Sequence, residues 1–476
     1  MGGTSVRITM RRLAMTGVHA PMSTSIGVLS LYLHEEAMRI ILGATPLSGH
    51  LNPLLAAGRV LAAAGHEVCV VTGSALRKQV EAAGLDFVPL FPGADLDLGD
   101  LDRAFPARKH HPAGPAQLKF DFEHVFVDTI PGQFLTLQTL LADFPADVIL
   151  VDTLFGGALP FLLGAGGTRP PIAVLGVTIL TSRRDDGAPM GLALPPATSD
   201  AERSQYAQIA AEVDATFMTP LRARADRLLA ELGAGPLPMS YSDAMVELPD
   251  LYLQTGVAGF EYPRCRQREG LHFIGALPGA PGAGLPQGIR DALDAGKRLV
   301  LVTQGTVANA DLGQLIGPSL LALAQRDDVL VVVTTGGRPV DDIPVTLPAN
   351  ALAAPCWNLT DLMPHVDVMV TNGGYGTVLQ ALGNGVAIVA AGTSEDKPEV
   401  NARIAWSGAG IDLKTDRPDP DQLRAALDTI LDGQEHIRHA AALQAEFARH
   451  APSRDLVRHL ENACGQGRPD AAGLSG

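Results

Sequence analysis

Two series of short apolar strands alternating with amphipathic helices constrain the fold of this chain most. In the first half, strands are predicted at residues 39–43, 67–72, 86–90, 147–151 and 172–176, and helices at 51–64, 75–83, 133–144 and 156–163. In the second half, strands are predicted at 299–303, 329–334 and 386–390, helices at 289–295 and 312–324, and a strand followed by a helix at 366–382. Such alternation is typical of open parallel sheets. The sequence therefore predicts an α/β protein with two Rossmann-like domains.

The interior segment least suited to regular structure is rich in glycine and proline and spans residues 275–288, so we place the interdomain linker there. The predicted divisions are a disordered extension at 1–37, a first domain at 38–275, a linker with the start of the second domain at 276–297, a second domain at 298–463 and a disordered tail at 464–476. Arginines before residues 26–33 superficially resemble a signal peptide, but the apolar stretch is short and ends at His34-Glu35-Glu36. Met38 is therefore an alternative start.

Two stretches of the first half, residues 91–132 and 177–247, show no clean period apart from a helix predicted at 201–232. Insertions of this kind usually shape a binding cleft. The apolar residues in them are suited either to the lining of that cleft or to the core.

Charge and cysteine content exclude several classes of protein. The formal net charge of −15 would repel the phosphate backbone of nucleic acid, and no basic patch offsets it. The four cysteines lie far apart and form no zinc or disulfide pattern. No apolar run approaches the roughly 20 residues needed to span a bilayer. We expect a soluble, cytoplasmic protein, either a monomer or a homodimer, without nucleic acid or membrane insertion.

The sharpest motif joins an apolar strand to a helix through the glycine pair Gly373-Gly374, within residues 367–382. Glycine lets backbone N–H groups approach an anion closely, the helix N-terminus adds partial positive charge, and Thr377 offers a hydroxyl donor. The motif therefore predicts a diphosphate site that needs no metal, or else a turn that only connects the strand to the helix. The chain has neither a G-x-G-x-x-G fingerprint nor a phosphate loop of the G-x-x-x-x-G-K type after its first strands.

Together with this motif, Gly49-His50-Leu51-Asn52-Pro53 after the first strand makes the sequence resemble the family 1 glycosyltransferases. These enzymes have the two-domain GT-B fold, and the resemblance is greatest to bacterial members that act on natural products such as macrolides and flavonoids. It extends from Met38 to about His459. The resemblance implies two facing Rossmann-like domains, the first for the acceptor and the second for the nucleotide sugar.

The resemblance assigns His50 as the catalytic base and Asp152, at the end of another predicted strand, as the carboxylate behind it. An imidazole with an ordinary pKa near 6.5 is suited to removing the proton of a hydroxyl acceptor, and a carboxylate would orient it. The alternatives are a histidine that caps the following helix and an aspartate that serves as an N-cap.

Further donor contacts are implied by three positions. Thr306 ends a turn that is similar to the family's phosphate-facing turn, and Trp357 lies where family members hold the nucleobase. Asp396 matches a carboxylate that contacts sugar hydroxyls. Thr306 could instead be a plain turn residue, and Trp357 could belong to the core.

Three positions depart from the family pattern. Asn372 stands in place of a phosphate-binding histidine, Gln380 in place of a ribose-binding glutamate, and Lys397 in place of a sugar-binding glutamine. Asparagine and glutamine amides still donate hydrogen bonds, so binding is altered rather than abolished. These departures weaken the identification of the donor most.

The resemblance implies an inverting transfer of a hexose from a UDP-sugar, above all UDP-glucose, or a dTDP-sugar to a hydroxyl of a small apolar acceptor, with no metal or other cofactor. Two alternatives remain. Asp95 and Asp97 resemble the metal-binding pair of a different glycosyltransferase fold, although they lie in an acidic, glycine-containing loop. A non-catalytic sugar-nucleotide binder, or an auxiliary subunit of another transferase, would keep the same fold without using His50 as a base.

Overall fold

The structure is a computed structural model that describes residues 37–112, 114–265, 267–306 and 308–467. The extension predicted at residues 1–37, apart from Ala37, and the last nine residues of the predicted tail lie outside the described residues. The described part contains two parallel sheets with helices around them, which confirms the predicted α/β class.

The first sheet has seven parallel strands in the order β3-β2-β1-β4-β5-β6-β7. These strands are β1 (Arg39–Gly43), β2 (Glu67–Thr72), β3 (Asp86–Pro89), β4 (Val148–Asp152), β5 (Ile172–Gly176), β6 (Leu251–Gln254) and β7 (Leu271–Phe273). The α-helices of this region are α1 (Ser48–Ala63), α2 (Arg77–Ala82), α3 (Leu101–Ala104), α4 (Pro115–Asp121), α5 (Ile130–Asp143), α6 (Leu159–Leu162), α7 (Asp200–Val213), α8 (Thr219–Glu231) and α9 (Tyr241–Glu247).

The second sheet has six parallel strands in the order β10-β9-β8-β11-β12-β13. These strands are β8 (Arg298–Thr303), β9 (Val329–Thr334), β10 (Ala351–Ala354), β11 (Val368–Thr371), β12 (Ala387–Ala390) and β13 (Gly410–Asp412). The α-helices are α10 (Gln287–Asp294), α11 (Ile316–Leu323), α12 (Leu359–Leu362), α13 (Tyr375–Gly383), α14 (Lys397–Trp406), α15 (Pro420–Leu431), α16 (Glu435–Phe447) and α17 (Pro452–Gly467). Within the described ranges, no helix combines the length and apolarity required to cross a membrane.

Both faces of the first sheet are buried. Successive side chains of a strand point to opposite faces, and in β1 Ile40 and Leu42 pack in one apolar cluster with Leu54 of α1. Ile41 packs on the other face with Leu137 of α5. This two-sided burial explains why the strands read as nearly continuous apolar runs.

Each sheet reverses its strand order beside its own first strand. β1 lies between β2 and β4, and β8 lies between β9 and β11. The loops that leave the carboxyl ends of such neighbouring strands diverge to opposite faces, which opens a crevice where ligands bind in α/β proteins. The fold therefore places one crevice at the β1/β4 edge and another at the β8/β11 edge.

The helix predicted at residues 201–232 is interrupted. A π-helical turn, Asp214–Met218, separates α7 from α8. Pro220 has no N–H to donate to the carbonyl of Thr216 four residues earlier, and that carbonyl instead accepts a hydrogen bond from Lys119 Nζ at 2.9 Å. The sequence pattern predicts the helical period, but it does not show that the Lys119 side chain takes the place of a backbone N–H donor here.

The last helix returns to the first domain. Leu456 and Leu460 of α17 are fully buried in the same cluster as Ile40 and Leu42. The helix continues to Gly467, past residue 463, where the sequence places the end of the second domain. The predicted boundary places most of α17 in the second domain, whereas the apolar side of this helix packs on the first.

Candidate active site

His50 and Asp152 meet at the crevice of the first sheet. His50 is the third residue of α1, after the loop that leaves β1, and Asp152 is the last residue of the neighbouring β4. His50 Nδ1 lies 2.7 Å from Asp152 Oδ1. The pair is 102 residues apart in sequence, and the adjacency of the two parallel strands brings it together.

Asp152 is held as an ionised acceptor. Its carboxylate is fully buried and accepts hydrogen bonds from the backbone N–H of Thr45 at 2.6 Å and of Leu154 at 2.8 Å. Burial alone would raise the pKa of Asp152, but the charge and hydrogen bond of His50 and these two amides outweigh it, so the pKa lies below its usual value. A charged carboxylate therefore faces the Nδ1 nitrogen of the imidazole.

The same balance acts on the imidazole. Burial lowers the pKa of His50, but the charge and hydrogen bond of Asp152, followed by the charges of Asp396 and Glu395, raise it above the ordinary value of 6.5. With Nδ1 bonded to Asp152, Nε2 is the nitrogen available to a hydroxyl. Asp396 and Glu395 belong to the second domain, so charges from both domains act on the imidazole.

The glycine pair lies at the crevice of the second sheet, between β11 and α13. Gly373 has φ of +97°, and a Cβ atom there would lie 1.9 Å from Oδ1 of the buried Asn401. A Cβ atom on Gly374, the residue that precedes α13, would meet no atom within 4 Å. Gly373 is therefore required by the turn, whereas Gly374 borders open space at a helix N-terminus.

The remaining predicted residues of this motif differ in their surroundings. Asn372 is buried, and its Nδ2 donates to the carbonyl of Gln304, so it ties the loop after β8 to the loop after β11. Thr377 and Gln380 are both partly buried and lie three residues apart on α13, which places them on one side of the helix.

Asp396 and Lys397 stand at the start of α14. Asp396 Oδ2 accepts a hydrogen bond of 2.5 Å from the hydroxyl of Thr178, in the first domain. Thr178 is the second residue of the segment between β5 and α7, residues 177–199, which we call the β5–α7 loop. Lys397 is buried and pairs with Glu395, so its charge is already balanced within its own segment.

Thr306 and Trp357 are not brought into one cavity. Thr306 lines a cleft of about 530 Å³, with Ser48 and Arg59 from the first domain and Gly336 from the second. Trp357 lines a smaller cavity of about 150 Å³ beneath the linker, and its indole N–H donates to the carbonyl of Val333 at 2.8 Å. The indole therefore fixes the end of β9 as well as facing a cavity.

Sequence reasoning missed several residues that join the domains. Three of them are Thr178, Gln254, at the end of β6, and Tyr375, the first residue of α13. The hydroxyl of Tyr375 donates to the carbonyl of Thr255 at 2.8 Å and accepts from Gln254 Nε2 at 2.9 Å. Thr178 could have been found because it follows a predicted strand, whereas β6 was not predicted and Gln254 had no such signal.

The acidic pair considered for metal binding is engaged elsewhere. Asp95 accepts hydrogen bonds from the backbone N–H and the hydroxyl of Ser74, at 2.7 and 2.6 Å, and Asp97 pairs with Arg103. In the part of the chain that the structure describes, no group of three or more His, Cys, Asp or Glu side chains is arranged to hold a metal ion.

The chain is similar to known proteins both in sequence and in fold. Residues 319–463 match the family described as Erythromycin biosynthesis protein CIII-like, C-terminal domain. The chain is 37% identical to 4'-demethylrebeccamycin synthase of Lentzea aerocolonigenes, over 89% of this chain and 99% of that protein. It is 35% identical to UDP-glycosyltransferase 2 of Phaeomoniella chlamydospora, over 86% and 92% of the two chains. A solved structure of the glycotransferase of kitacinnamycin shares its fold, with a TM-score of 0.68 and 20% identity over 90% of this chain and 99% of that one.

Proposed function

Because this chain belongs to the family 1 natural-product glycosyltransferases, which use nucleotide sugars, we propose that it transfers a hexose from UDP-glucose to a hydroxyl of a small apolar acceptor such as a flavonoid, a phenol or a macrolide. The name of the Phaeomoniella relative supports a uridine diphosphate donor. One observation carries the proposal: the His50–Asp152 pair lies at the crevice of the first sheet, and Asp396 of the second domain, whose own crevice holds the glycine pair, is hydrogen-bonded to Thr178 of the first domain.

In the proposed reaction, His50 Nε2 removes the proton of the acceptor hydroxyl while Asp152 holds the ring and stabilises the imidazolium. The acceptor oxygen forms a bond to the anomeric carbon as the bond from that carbon to the phosphate oxygen breaks. The electron pair of the broken bond leaves with the nucleoside diphosphate. Attack from the face opposite the leaving group inverts the configuration of the anomeric carbon.

The second domain stabilises the leaving group in this mechanism. Backbone N–H groups at Gly374 and the first turn of α13 are suited to a diphosphate, and Thr377 adds a hydroxyl. We propose that these groups, rather than a metal ion or another cofactor, balance the developing negative charge.

The surroundings of His50 support an apolar acceptor. The ring of Phe126 lies with its centroid 6.1 Å from that of His50. Phe126 belongs to an apolar cluster built mainly by the two insertions, including Tyr241 and Met245, together with Leu154 just after the end of β4. An acceptor that buries apolar surface against this cluster gains binding free energy at roughly 25 cal/mol per Å².

A donor panel tests the proposal. The protein is incubated with UDP- and dTDP-sugars and a mixture of phenolic and macrolide acceptors, and products are read by their mass. We expect a mass increase of one hexose with UDP-glucose, an inverted anomeric configuration by NMR, and unchanged turnover in excess chelator. Absence of a glycoside with every donor would contradict the proposed activity, and loss of turnover in chelator would contradict metal independence.

Replacement of Gly374 with alanine separates an anion site from a simple turn. Because the added methyl meets no atom within 4 Å, we expect an unchanged melting temperature. A bound diphosphate would contact that methyl, so the Kd of UDP measured by calorimetry should rise by about tenfold, equivalent to about 1.4 kcal/mol.

Gly383→Ala, at the other end of α13, is the matched control, since its Cβ atom would make only ordinary contacts, at 3.8 Å, with Phe447. It should leave both the melting temperature and the Kd of UDP unchanged. An unchanged Kd in Gly374→Ala would indicate that the glycine pair only connects the strand to the helix.

A further inference from the structure

Arg403 of α14 is a buried charge that the proposed mechanism does not use. Its side chain is only 1% exposed. Nε donates to Glu261 of the first domain at 3.0 Å, and Nη1 donates to Glu399 of α14 at 2.8 Å, while the guanidinium lies 4.1 Å from the ring centroid of Tyr262. Burying an arginine with two carboxylates carries a large desolvation cost and is weak support for stability. We therefore consider that Arg403 fixes the relative positions of the segments it contacts, rather than that it adds stability.

The two carboxylates use their other oxygens to hold the β5–α7 loop. Glu261 Oε1 accepts from the backbone N–H of Leu180 at 2.9 Å. Glu399 Oε1 accepts from those of Gly191 and Ala193, at 2.8 and 2.9 Å. Ala193 has φ of +54°, which is unfavourable for a residue with a side chain, so this turn depends on contacts from outside. The Arg403 guanidinium thus links the two carboxylates that hold this loop.

The β5–α7 loop contacts both the apolar cluster that contains Phe126 and the second domain. Its Met190 packs both against the apolar cluster that contains Phe126 and Leu154 and against the core of the second domain. Near the start of the loop, Thr178 donates a hydrogen bond to Asp396, which lies three residues before Glu399. Asp396, Glu399 and Arg403 therefore lie on one helix, α14 with its N-cap, whereas Glu261 holds the loop from the first domain.

We infer that Glu399 and Arg403 are positioning residues that hold the β5–α7 loop against α14 and so fix one wall of the acceptor site relative to the donor. This inference rests on the transferase function proposed above. It predicts that weakening the hydrogen bonds of Glu399 or Arg403 impairs use of the acceptor. Binding of the nucleotide alone should be retained, because the glycine pair and α13 are unchanged.

Glu399→Gln is the decisive variant. A carboxylate accepts on both oxygens, whereas a carboxamide has one acceptor oxygen and can serve either the loop amides or Arg403. We expect the KM of the acceptor to rise by roughly tenfold, as the loss of a charged hydrogen bond implies, and the Kd of UDP to stay within about twofold. Hydrogen exchange of the Gly191 and Ala193 amides should accelerate. Arg403→Lys keeps the charge but loses the fork that spans both carboxylates, and should change the same quantities in the same direction.

Glu446→Gln provides the matched control. Glu446, on α16, also accepts a hydrogen bond from a backbone N–H of the first domain, that of Gly259 at 3.0 Å, but it does not touch the β5–α7 loop. The variant should therefore leave the acceptor KM and the exchange of the Gly191 and Ala193 amides unchanged.

Amide exchange and UDP binding require no turnover, so they separate the two hypotheses. A wild-type protein that binds UDP but forms no glycoside would contradict the proposed function. In a folded Glu399→Gln protein, unchanged amide exchange, an acceptor KM within about twofold of the wild type, or a parallel loss of UDP affinity would each overturn the positioning role.

Discussion

Replacing His50 with alanine should lower kcat by about two to four orders of magnitude, the usual contribution of a positioned general base. The Kd of UDP should remain unchanged, because His50 belongs to the first domain and the glycine pair to the second. Steady-state kinetics with one acceptor, combined with calorimetry for UDP, measures both quantities. The loss should be smaller for an acidic phenol than for an aliphatic alcohol, since an ionised phenol needs less help from a base.

His436→Ala is a suitable control for this variant. His436 lies on α16 and its Nδ1 is 2.7 Å from the carbonyl oxygen of Gly408, away from the His50–Asp152 pair. This variant should retain the kcat of the wild type. If His50→Ala also retained it, the chain would bind sugar nucleotides without using this imidazole as a base, as the non-catalytic alternative requires.

All the inner strands of the two sheets except β6 could be predicted, because their sequences carry a strong signal. The predictions at residues 39–43, 67–72, 172–176 and 329–334 agree with β1, β2, β5 and β9 to the residue. These strands are buried on both faces and are rich in β-branched residues.

Three of the four edge strands could not be predicted in the same way, whereas the prediction at residues 86–90 matches the edge strand β3 to within one residue. β7, β10 and β13 have three or four residues, and sequences such as Ala351–Ala354 and Gly410–Asp412 have little intrinsic preference for a strand. Their neighbours in the sheet supply the pairing that their own sequences do not specify. Strand formation here is a tertiary effect.

For the site, the sequence could predict residues at strand ends but not their partners across the cleft. His50 and Asp152 follow strands whose adjacency the fold rules imply. The contact between Thr178 and Asp396 joins residues 218 positions apart in two domains. Such a contact depends on how the two domains pack together, which no local sequence pattern encodes. The same holds for the hydrogen bonds of Arg403 with Glu261 and Glu399.

Asp152→Asn should lower kcat/KM by about two to four orders of magnitude, although the side chain keeps its size. Asp152 accepts hydrogen bonds from His50, Thr45 and Leu154, and a carboxamide has only one oxygen for them. If its NH2 group faces His50, Nδ1 becomes an acceptor and Nε2 carries the proton. The imidazole can then no longer remove a proton from the acceptor hydroxyl through Nε2.

The pH dependence of kcat/KM should also change in a defined direction in Asp152→Asn. A base must be neutral to act, so kcat/KM of the wild type should fall as the pH drops through the pKa of His50, which lies above 6.5. Burial lowers that pKa and Asp152 raises it, so removal of the carboxylate charge should move the acid limb of the profile to lower pH. Asp147→Asn is the control, because Asp147 lies beside the opposite end of β4 and accepts the backbone N–H of Arg39 at 2.8 Å. It should leave the acid limb in place, whereas an acid limb that did not move in Asp152→Asn would show that the group titrating in the reaction is not His50.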